Sequence, residues 1–421
     1  MPAYSGKYQY LDAAGATTEQ GPCQLSFDAG SCTVTPAGGT PLAFDLGDAD
    51  RAVPAEWDLQ LALYGGRTVM LKQFGAAFSR MSEELLAAWR DRTVQCLLLE
   101  DLEEVARYQC AANGAPAQVR IFKSNIAVLP LAGVPLQWRL AEIDSCAFDD
   151  AAYSVVLQSA GERLVLSKLG RKTDEAFANL RGSIDALHTR CANALHELFP
   201  FLNADALRRL QQAMPEGRSC PIPALAAIHP ELPAALKARA VDEPLKPYFE
   251  SLSRQSVAPP LAGFKFTWGS GDSPSDDADA STAADGETAA TETDQTSPPL
   301  FFWYFFPLAR NRVAWEATTG AGRATYFFRS PPPVEAAVAR LTRGLALVNF
   351  RREPIYLSDD SLDRQPRYRR YAIGARKLAD LRSLRSAYLG RAIHSTLEEW
   401  QTQGTEPAST DSIDCCERPR V

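Results

Sequence analysis

The chain has 421 residues, 46% of them hydrophobic and 23% charged, and a formal net charge of −7. This composition is typical of a globular protein with two to four domains, and its acidic balance argues against polyanion binding by the whole chain. Because the N-terminus lacks a signal-peptide pattern and no apolar run approaches the roughly 20 residues of a membrane-spanning helix, we expect a cytoplasmic protein that is not integral to a membrane.

The N-terminal part of the chain contains an internal repeat. Residues 34–63 align without a gap with residues 128–157 at an offset of 94, and Asp50 meets Asp144 in this alignment. In both copies, short alternating runs of apolar and polar residues are separated by Gly, Pro and Asp, which predicts a small antiparallel sheet. We therefore expect the two stretches to form equivalent strands of two similar domains.

An amphipathic helix is predicted at the end of each copy, because apolar residues recur there at intervals of three and four. These apolar positions are Phe78, Met81, Leu85 and Trp89 in the first copy, and Phe177, Leu180, Ile184 and Leu187 in the second. A small sheet closed by one C-terminal helix resembles the pleckstrin-homology-like (PH-like) superfold. The resemblance covers residues 20–95 and 117–195, and Trp89 matches the tryptophan that is common in the closing helix of PH domains.

The resemblance implies a bent antiparallel sandwich or barrel capped by a helix, which most PH-like domains use as a protein-binding platform. PH domains that bind phosphoinositides use several Lys or Arg around the first hairpin. That hairpin has no basic residue in the first copy, and only Arg120 and Lys123 in the second. We therefore expect a protein partner and no phosphoinositide binding.

Short helices broken by prolines are predicted after the repeats, and an acidic tract follows them. The tract holds eight Asp or Glu, no Lys or Arg and almost no large apolar side chains, so it is predicted to be disordered. The predicted fold class is α+β: two small antiparallel β-barrel or sandwich repeats, each with a C-terminal helix, and a C-terminal α+β domain. The predicted divisions are a first PH-like repeat (1–112), a second (113–198), a helical connector (199–260), the C-terminal domain (261–403) with its disordered acidic insertion (270–299), and a disordered tail (404–421).

The most apolar segment of the chain is Leu300–Leu308, directly after the acidic tract. A core strand, a partner-binding patch and membrane insertion are the three interpretations. The segment has half the length of a spanning helix and contains Pro307, which opposes membrane insertion. A strand buried on both faces reads as a continuous apolar run, so the segment is predicted to be a core strand of the C-terminal domain.

Further helices are predicted towards the C-terminus. Residues 334–347 follow three prolines and show helical spacing, and residues 375–400 carry apolar side chains on one side of a predicted long helix. The short run at 354–358, "PIYLS", is predicted to be a strand.

Nine basic residues and one acid lie in residues 364–391. The basic residues are Arg364, Arg367, Arg369, Arg370, Arg376, Lys377, Arg382, Arg385 and Arg391. Since the planar guanidinium suits phosphate or carboxylate recognition, these residues are the candidate set for binding an anion or a partner. A solvated helix face is the simpler interpretation. Nucleic acid, an acidic protein and the chain's own acidic tract are the candidate anions.

The sequence contains no motif for catalysis or metal binding. HExxH, paired CxxC, phosphate loops and GxSxG elbows are all absent, and the four histidines have no ligand spacing. The nine scattered cysteines favour reduced thiols. Cys191 lies close to His188 on a predicted helix, and the apolar face of that helix explains the presence of the cysteine. We therefore predict no cofactor, no metal and no catalytic residue. The predicted function is a non-catalytic scaffold or protein-interaction module; the alternatives are nucleic-acid binding through the Arg-rich C-terminal helix, and an enzyme without a recognisable motif.

Overall fold

The computed structural model describes residues 3–99, 102–131, 133–159, 161–266, 300–318 and 324–405. The fold class is α+β, as predicted: two curled antiparallel sheets are each followed by a helix, and a C-terminal sheet with helices completes the fold. The chain divides into two compact units. The first comprises Met1–Asp185 and Arg367–Leu378, and the second comprises Ala186–Pro366 and Ala379–Val421.

The first repeat is a seven-stranded antiparallel sheet followed by one helix. Its elements are β1 (Ala3–Leu11), β2 (Thr17–Phe27), β3 (Ser31–Pro36), β4 (Leu42–Asp45), β5 (Ala49–Pro54), β6 (Asp58–Leu63), β7 (Thr68–Lys72) and α1 (Phe78–Cys96). The strands are hydrogen-bonded in the order β4-β3-β2-β1-β7-β6-β5, so β1 is central and β5 is an edge strand. The four predicted apolar positions of α1 are all buried and belong to the core of this sheet.

The second repeat also consists of seven strands followed by one helix. They are β8 (Glu104–Ala112), β9 (Ala115–Phe122), β10 (Asn125–Pro130), β11 (Leu136–Arg139), β12 (Ser145–Asp149), β13 (Ser154–Ser159), β14 (Glu162–Ser167) and α2 (Thr173–Leu198). The strand order is β11-β10-β9-β8-β14-β13-β12, in which each strand takes the place of its counterpart seven strands earlier. The predicted equivalence of residues 34–63 and 128–157 is therefore confirmed.

The turn from the last strand to the helix is also the same in both repeats. Gln73 and Gly75 have φ angles of 56° and 55°, and Lys168 and Gly170 have φ angles of 57° and 59°. A positive φ is uncommon for residues other than glycine, because the Cβ atom crowds the backbone. Its recurrence at matching positions shows that the repeats share this local geometry as well as their strand order.

Short helices follow α2, as predicted. They are α3 (Ala204–Ala213), α4 (Ile222–Ile228), α5 (Leu232–Ala240) and α6 (Lys246–Gln255), with the short strand β15 (Ser219–Pro221) before α4. A proline lies in the first turn of α4, α5 and α6. Proline is favoured there because its fixed φ suits a helix start and its missing N–H has no partner in the first turn.

A six-stranded antiparallel sheet forms the core of the second unit. Besides β15 it contains β16 (Leu261–Phe266), β17 (Leu300–Leu308), β18 (Arg312–Ala317), β19 (Ala324–Arg329) and β20 (Tyr388–Ile393), in chain order across the sheet. The aromatic block is β17, which lies between β16 and β18, and residues 301–308 are all buried. The predicted core strand is confirmed, since the long apolar run has protein on both faces of the sheet.

The two strands that flank the acidic tract are neighbours in this sheet. Phe266, the last residue of β16, pairs with Leu300, the first of β17. The predicted disorder of residues 270–299 lies outside the described residues, and so does that of residues 406–421 in the tail. Residues 404 and 405, the first two of the predicted tail, are helical. The pairing of β16 with β17 therefore places residues 266 and 300, which flank the tract in the sequence, side by side.

Six further α-helices follow β19 in the described part of the chain. They are α7 (Val334–Leu347), α8 (Glu353–Tyr356), α9 (Asp359–Arg364), α10 (Arg369–Lys377), α11 (Ala379–Ala387) and α12 (Leu397–Thr405). The helix predicted over residues 334–347 is confirmed as α7. The single helix predicted over residues 375–400 is wrong, because this stretch holds the end of α10, α11, strand β20 and the start of α12. The strand predicted at residues 354–358 is wrong too, since α8 occupies most of it.

Candidate functional site

The nine predicted basic residues lie on several elements and do not share one helix face. Their positions are Arg364 at the end of α9, Arg367 in a 3₁₀ turn, Arg369, Arg370, Arg376 and Lys377 on α10, Arg382 and Arg385 on α11, and Arg391 on β20. Residues 367–378 belong to the first unit and the other members of the set to the second. The nine residues are thus divided between the two units.

Helix α10 is docked on the first repeat through a small acidic edge. We define this acidic edge as Asp48 and Asp50, at the start of strand β5. The Asp48 carboxylate accepts hydrogen bonds from the guanidinium groups of Arg369 at 2.5 Å and Arg376 at 3.1 Å. The Lys377 ammonium donates to the Ala49 carbonyl at 2.9 Å and lies 3.3 Å from the Asp50 carboxylate. The Lys377 side chain is only 4% exposed, so the carboxylate and the carbonyl compensate the loss of its hydration.

Glycines allow α10 to approach the repeat closely. A Cβ atom on Gly374 would lie 2.9 Å from the Leu98 side chain and 3.1 Å from the Cys96 carbonyl oxygen. A Cβ atom on Gly47 would lie 3.0 Å from the side chain of Ile373, which is buried. Any larger residue at Gly374 would therefore push the helix away from the repeat.

The backbone before the acidic edge is fixed by a capping interaction. The Asp45 carboxylate accepts the Gly47 amide at 2.7 Å and pairs with Arg92 of α1 at 2.6 Å. Burial alone would raise the pKa of Asp45, but the bonds from Arg92 and the Gly47 amide outweigh it, and the pKa is lowered from its ordinary value. The carboxylate therefore stays ionised and holds the 3₁₀ turn that presents Asp48.

The basic residues outside α10 are also engaged within the chain. Arg385 donates to the Leu357 carbonyl at 2.8 Å and to the Asp359 carboxylate at 2.7 Å, and it also donates to the Pro354 carbonyl. The guanidinium of Arg391 lies 4.2 Å from the centre of the Tyr356 ring. Such partners leave these guanidinium groups less free to bind an external anion.

The weakest pairs in the set are those exposed to solvent. Arg364 lies 3.4 Å from Asp360, and the two side chains are 79% and 81% exposed. An ion pair of this kind contributes little to stability, because water screens it. Arg364 is therefore largely available to solvent.

The first hairpin of the second repeat is β8–β9, so the prediction that Lys123 belongs to it is wrong: Lys123 lies in the following turn, between β9 and β10. Arg120 and Lys123 are both paired. Arg120 lies on β9, its side chain is only 5% exposed, and its guanidinium is 2.6 Å from the Asp91 carboxylate of α1. Lys123 pairs with Glu103. Arg120 thus ties the two repeats together within the first unit, and burial keeps it from a lipid headgroup.

A buried polar cluster in the second unit was not predicted from the sequence. Its members are Glu316 on β18, Thr325 on β19, His394 after β20 and Trp400 on α12. Thr325 Oγ1 donates to Glu316 Oε2 at 2.6 Å, lies 3.0 Å from His394 Nε2, and accepts the Trp400 indole N–H at 2.9 Å. Sequence reasoning placed His394 on a helix, which is wrong, because residue 394 lies between β20 and α12. The pairing of β18 with β19 sets Glu316 opposite Thr325, and the pairing of β19 with β20 brings residue 394 to the same end of the sheet.

The cluster is closed to solvent and has the character of a structural network. The Glu316 and His394 side chains are 0% and 3% exposed, and their nitrogen and oxygen atoms come within 3.4 Å. The Tyr248 ring stacks on the His394 ring at 4.0 Å. Glu316 Oε1 and His394 Nδ1 are buried and have no hydrogen-bond partner within the described ranges. Because a substrate cannot reach these groups, we assign the cluster to cross-linking β18, β19 and α12.

The cysteines and acidic residues do not form a reactive centre in the described part of the chain. The seven described cysteines are buried and form no disulfide with one another. Burial raises the pKa of Cys23, Cys96, Cys110, Cys146 and Cys220 to about 11, so these thiols are protonated at neutral pH and are poor nucleophiles. No group of three or more His, Cys, Asp or Glu among the described residues is arranged to hold a metal ion.

No protein-family model matches the chain, and a search of curated proteins finds no similar sequence. Within the described ranges, no helix is both long enough and apolar enough to cross a membrane. The function of the chain is therefore inferred from its own residues and contacts.

Proposed function

We propose that the chain is a non-catalytic cytoplasmic scaffold in which two PH-like repeats serve as protein-interaction modules. The docking of α10 on the first repeat is the observation that supports this proposal. The ion pair of Arg369 with Asp48 joins residues 321 positions apart in the sequence. The acidic edge of the first repeat thus has the properties of a helix-binding surface, with α10 as its occupant within the same chain.

The assignment of the repeats to the PH-like superfold is supported by their organisation. Each has a curled antiparallel sheet of seven strands followed directly by one amphipathic helix. The buried Trp89 donates its indole N–H to the Ala49 carbonyl at 2.9 Å, which joins the closing helix to edge strand β5. The acidic edge therefore lies where the closing helix meets the sheet.

The chemistry of the acidic edge selects a particular kind of helix. The two carboxylates of the acidic edge require a helix with basic residues on one side. The bidentate geometry of guanidinium favours arginine at the helix position that faces Asp48. The short distances at Gly374 require a small residue at the centre of the contact. The apolar contact with Ile373 adds hydrophobic burial, so the proposed ligand class is a basic amphipathic helix with a central glycine.

Binding of nucleic acid by the nine basic residues is disfavoured by the contacts that they already make. Arg369 and Arg376 share the Asp48 carboxylate, and Arg385 is held by two carbonyls and a carboxylate. A polyanion would have to break these contacts before it could bind the same groups. We therefore propose that the partner is a protein. Phosphoinositide binding is not part of the proposed function, because Arg120 is buried.

Binding of a labelled peptide to the full-length chain tests this function. The peptide comprises residues 367–378, and binding is followed by fluorescence anisotropy. We expect the wild-type chain to bind little peptide, because its own α10 occupies the acidic edge. The double variant Arg369→Glu, Arg376→Glu weakens that occupant, so this variant should bind the peptide. Adding Asp48→Lys to the double variant should abolish the binding.

The control is Arg364→Glu, which reverses a charge close in sequence but outside α10. This variant should bind no more peptide than the wild-type chain. If the double variant keeps its far-UV circular dichroism spectrum and still fails to bind the peptide, the acidic edge is not a helix-binding surface and the proposed function is wrong.

A further inference from the structure

A cleft in the second unit has a positively charged rim and an apolar floor. It has a volume of about 190 Å³ and lies between the end of β19, α7 and α11. Its polar lining is Arg329, Arg340, Ser383 and Ser386, and Leu341 and Leu384 form part of its floor. No Asp or Glu is among the residues that line it. The volume is that of roughly six water molecules, so the cleft is the size of a small ligand or a headgroup.

The arginines of this cleft differ from the nine basic residues predicted from the sequence. The side chains of Arg329 and Arg340 have no hydrogen-bond or ion-pair partner within the ranges that the structure describes. Arg343, one turn further along α7, pairs with Asp380 at 3.1 Å. Asp380 thus offsets the charge of Arg343, whereas no acidic side chain pairs with Arg329 or Arg340 in the described part of the chain.

A third arginine, Arg312, does not line the cleft but lies next to Arg329 in the sheet. Arg312 on β18 lies directly opposite Arg329 on β19 in the strand register, so both side chains project from the same face of the sheet. The Arg312 Nε atom is buried and has no hydrogen-bond partner among the described residues. Like charges directly opposite each other destabilise a sheet, and an anion between or beside them would offset that repulsion.

We propose that this cleft binds the phosphate group of a small phosphorylated molecule. Guanidinium forks recognise phosphate oxygens through paired hydrogen bonds, and Arg329 and Arg340 together match the charge of a phosphate dianion. Ser386 donates its hydroxyl hydrogen to the Ser383 carbonyl at 3.0 Å, so the Ser383 hydroxyl is the one that donates to the ligand. The apolar floor takes the carbon atoms attached to the phosphate, and the small volume selects a single headgroup instead of a polymer.

Calorimetric titration of the full-length chain tests the proposal with three probes: inorganic phosphate, phenyl phosphate and sodium acetate at one ionic strength. We expect phenyl phosphate to bind more tightly than inorganic phosphate, because it also covers the apolar floor. Acetate should bind most weakly, since it carries one charge. Phosphate binding should also raise the midpoint of thermal unfolding, because the ligand binds the folded state.

Arg329→Gln and Arg340→Gln test the assignment of the ligand groups. Each should weaken phenyl phosphate binding about fivefold to tenfold, as expected for the loss of charge-assisted hydrogen bonds at a partly exposed site. The matched control is Arg254→Gln, an exposed arginine of the same unit that does not line the cleft, and it should leave the affinity unchanged.

Three results would overturn the proposal. The first is the absence of phosphate binding by a folded wild-type chain. The second is an equal loss of affinity in Arg254→Gln and the cleft variants, which would indicate general charge attraction. The third is heparin binding that is far tighter than phenyl phosphate binding and is lost in the same variants, which would identify a polymer site. None of these results bears on the docking of α10, so the scaffold proposal is tested separately.

Discussion

Replacing Asp48 by alanine should destabilise the first unit, because this carboxylate is shared by two guanidinium groups. Asp48 is 16% exposed, and Arg369 and Arg376 are 28% and 17% exposed. A pair at this depth lies between an exposed ion pair, worth at most about 1 kcal/mol, and a fully buried one, whose disruption costs about 3 to 5 kcal/mol. With two guanidiniums losing their partner, we expect the free energy of unfolding to fall by about 2 to 4 kcal/mol.

Urea denaturation followed by circular dichroism measures this change. The matched control is Asp360→Ala, which removes the carboxylate of an exposed pair with Arg364 and should cost less than about 0.5 kcal/mol. A double-mutant cycle of Asp48→Ala with Arg376→Ala should give a coupling energy of about 1 kcal/mol or more. Equal losses for Asp48→Ala and Asp360→Ala would refute the assignment of α10 docking to Asp48.

Three further predictions concern packing and reactivity. Thr325→Val should lower the free energy of unfolding by about 2 to 4 kcal/mol in thermal or urea denaturation, because Glu316 and the Trp400 indole lose a buried hydrogen-bond partner. A loss of stability no larger than that caused by a substitution at an exposed position would contradict the structural role of the cluster. Gly374→Ala should cost about 1 to 3 kcal/mol, whereas Gly182→Ala, where a Cβ meets nothing within 4 Å, should be neutral or stabilising; equal effects would contradict the close approach of α10. Iodoacetamide at pH 8 should leave the seven described cysteines unmodified in the native chain, since burial suppresses their thiolate forms; rapid labelling seen by peptide mass spectrometry would show that they are accessible.

The repeats and the aromatic strand could be predicted because their signals are local. Alternating polar and apolar residues define the strands of each repeat, and the continuous apolar run of Leu300–Leu308 indicates a strand buried on both faces. Val334–Leu347 was predicted as a helix from its proline start and its spacing. In each case the pattern lies within one element, so no knowledge of distant partners was needed.

The C-terminal segment was mispredicted because its structure depends on distant partners. Apolar spacing continues from Leu378 through Trp400, yet α10 ends at Lys377, and Leu378 has extended dihedral angles. Residues 388–393 pair with β19 as strand β20, an arrangement that helical periodicity does not reveal. Non-local strand pairing overrides the local preference here.

The function of individual arginines was hidden from the sequence for the same reason. The charge of residues 364–391 was visible, but the partner of Arg369 and Arg376 lies more than 300 positions earlier in the chain. Conversely, Arg312, Arg329 and Arg340 are spread over three elements and form no motif. The pairing of β18 with β19 sets Arg312 opposite Arg329, and the packing of α7 brings Arg340 to the same cleft as Arg329.

Hydrogen–deuterium exchange of the full-length chain is the most direct test of the central claim that the acidic edge of the first repeat holds a helix. Wild-type and Asp48→Lys chains are compared at the amides of α10, with those of β9 in the second repeat as an internal reference. The docking of α10 predicts slow exchange at residues 369–377 in the wild-type chain and much faster exchange in the variant, with β9 unchanged. Equal exchange of α10 in the two chains, with the variant folded, would contradict the claim.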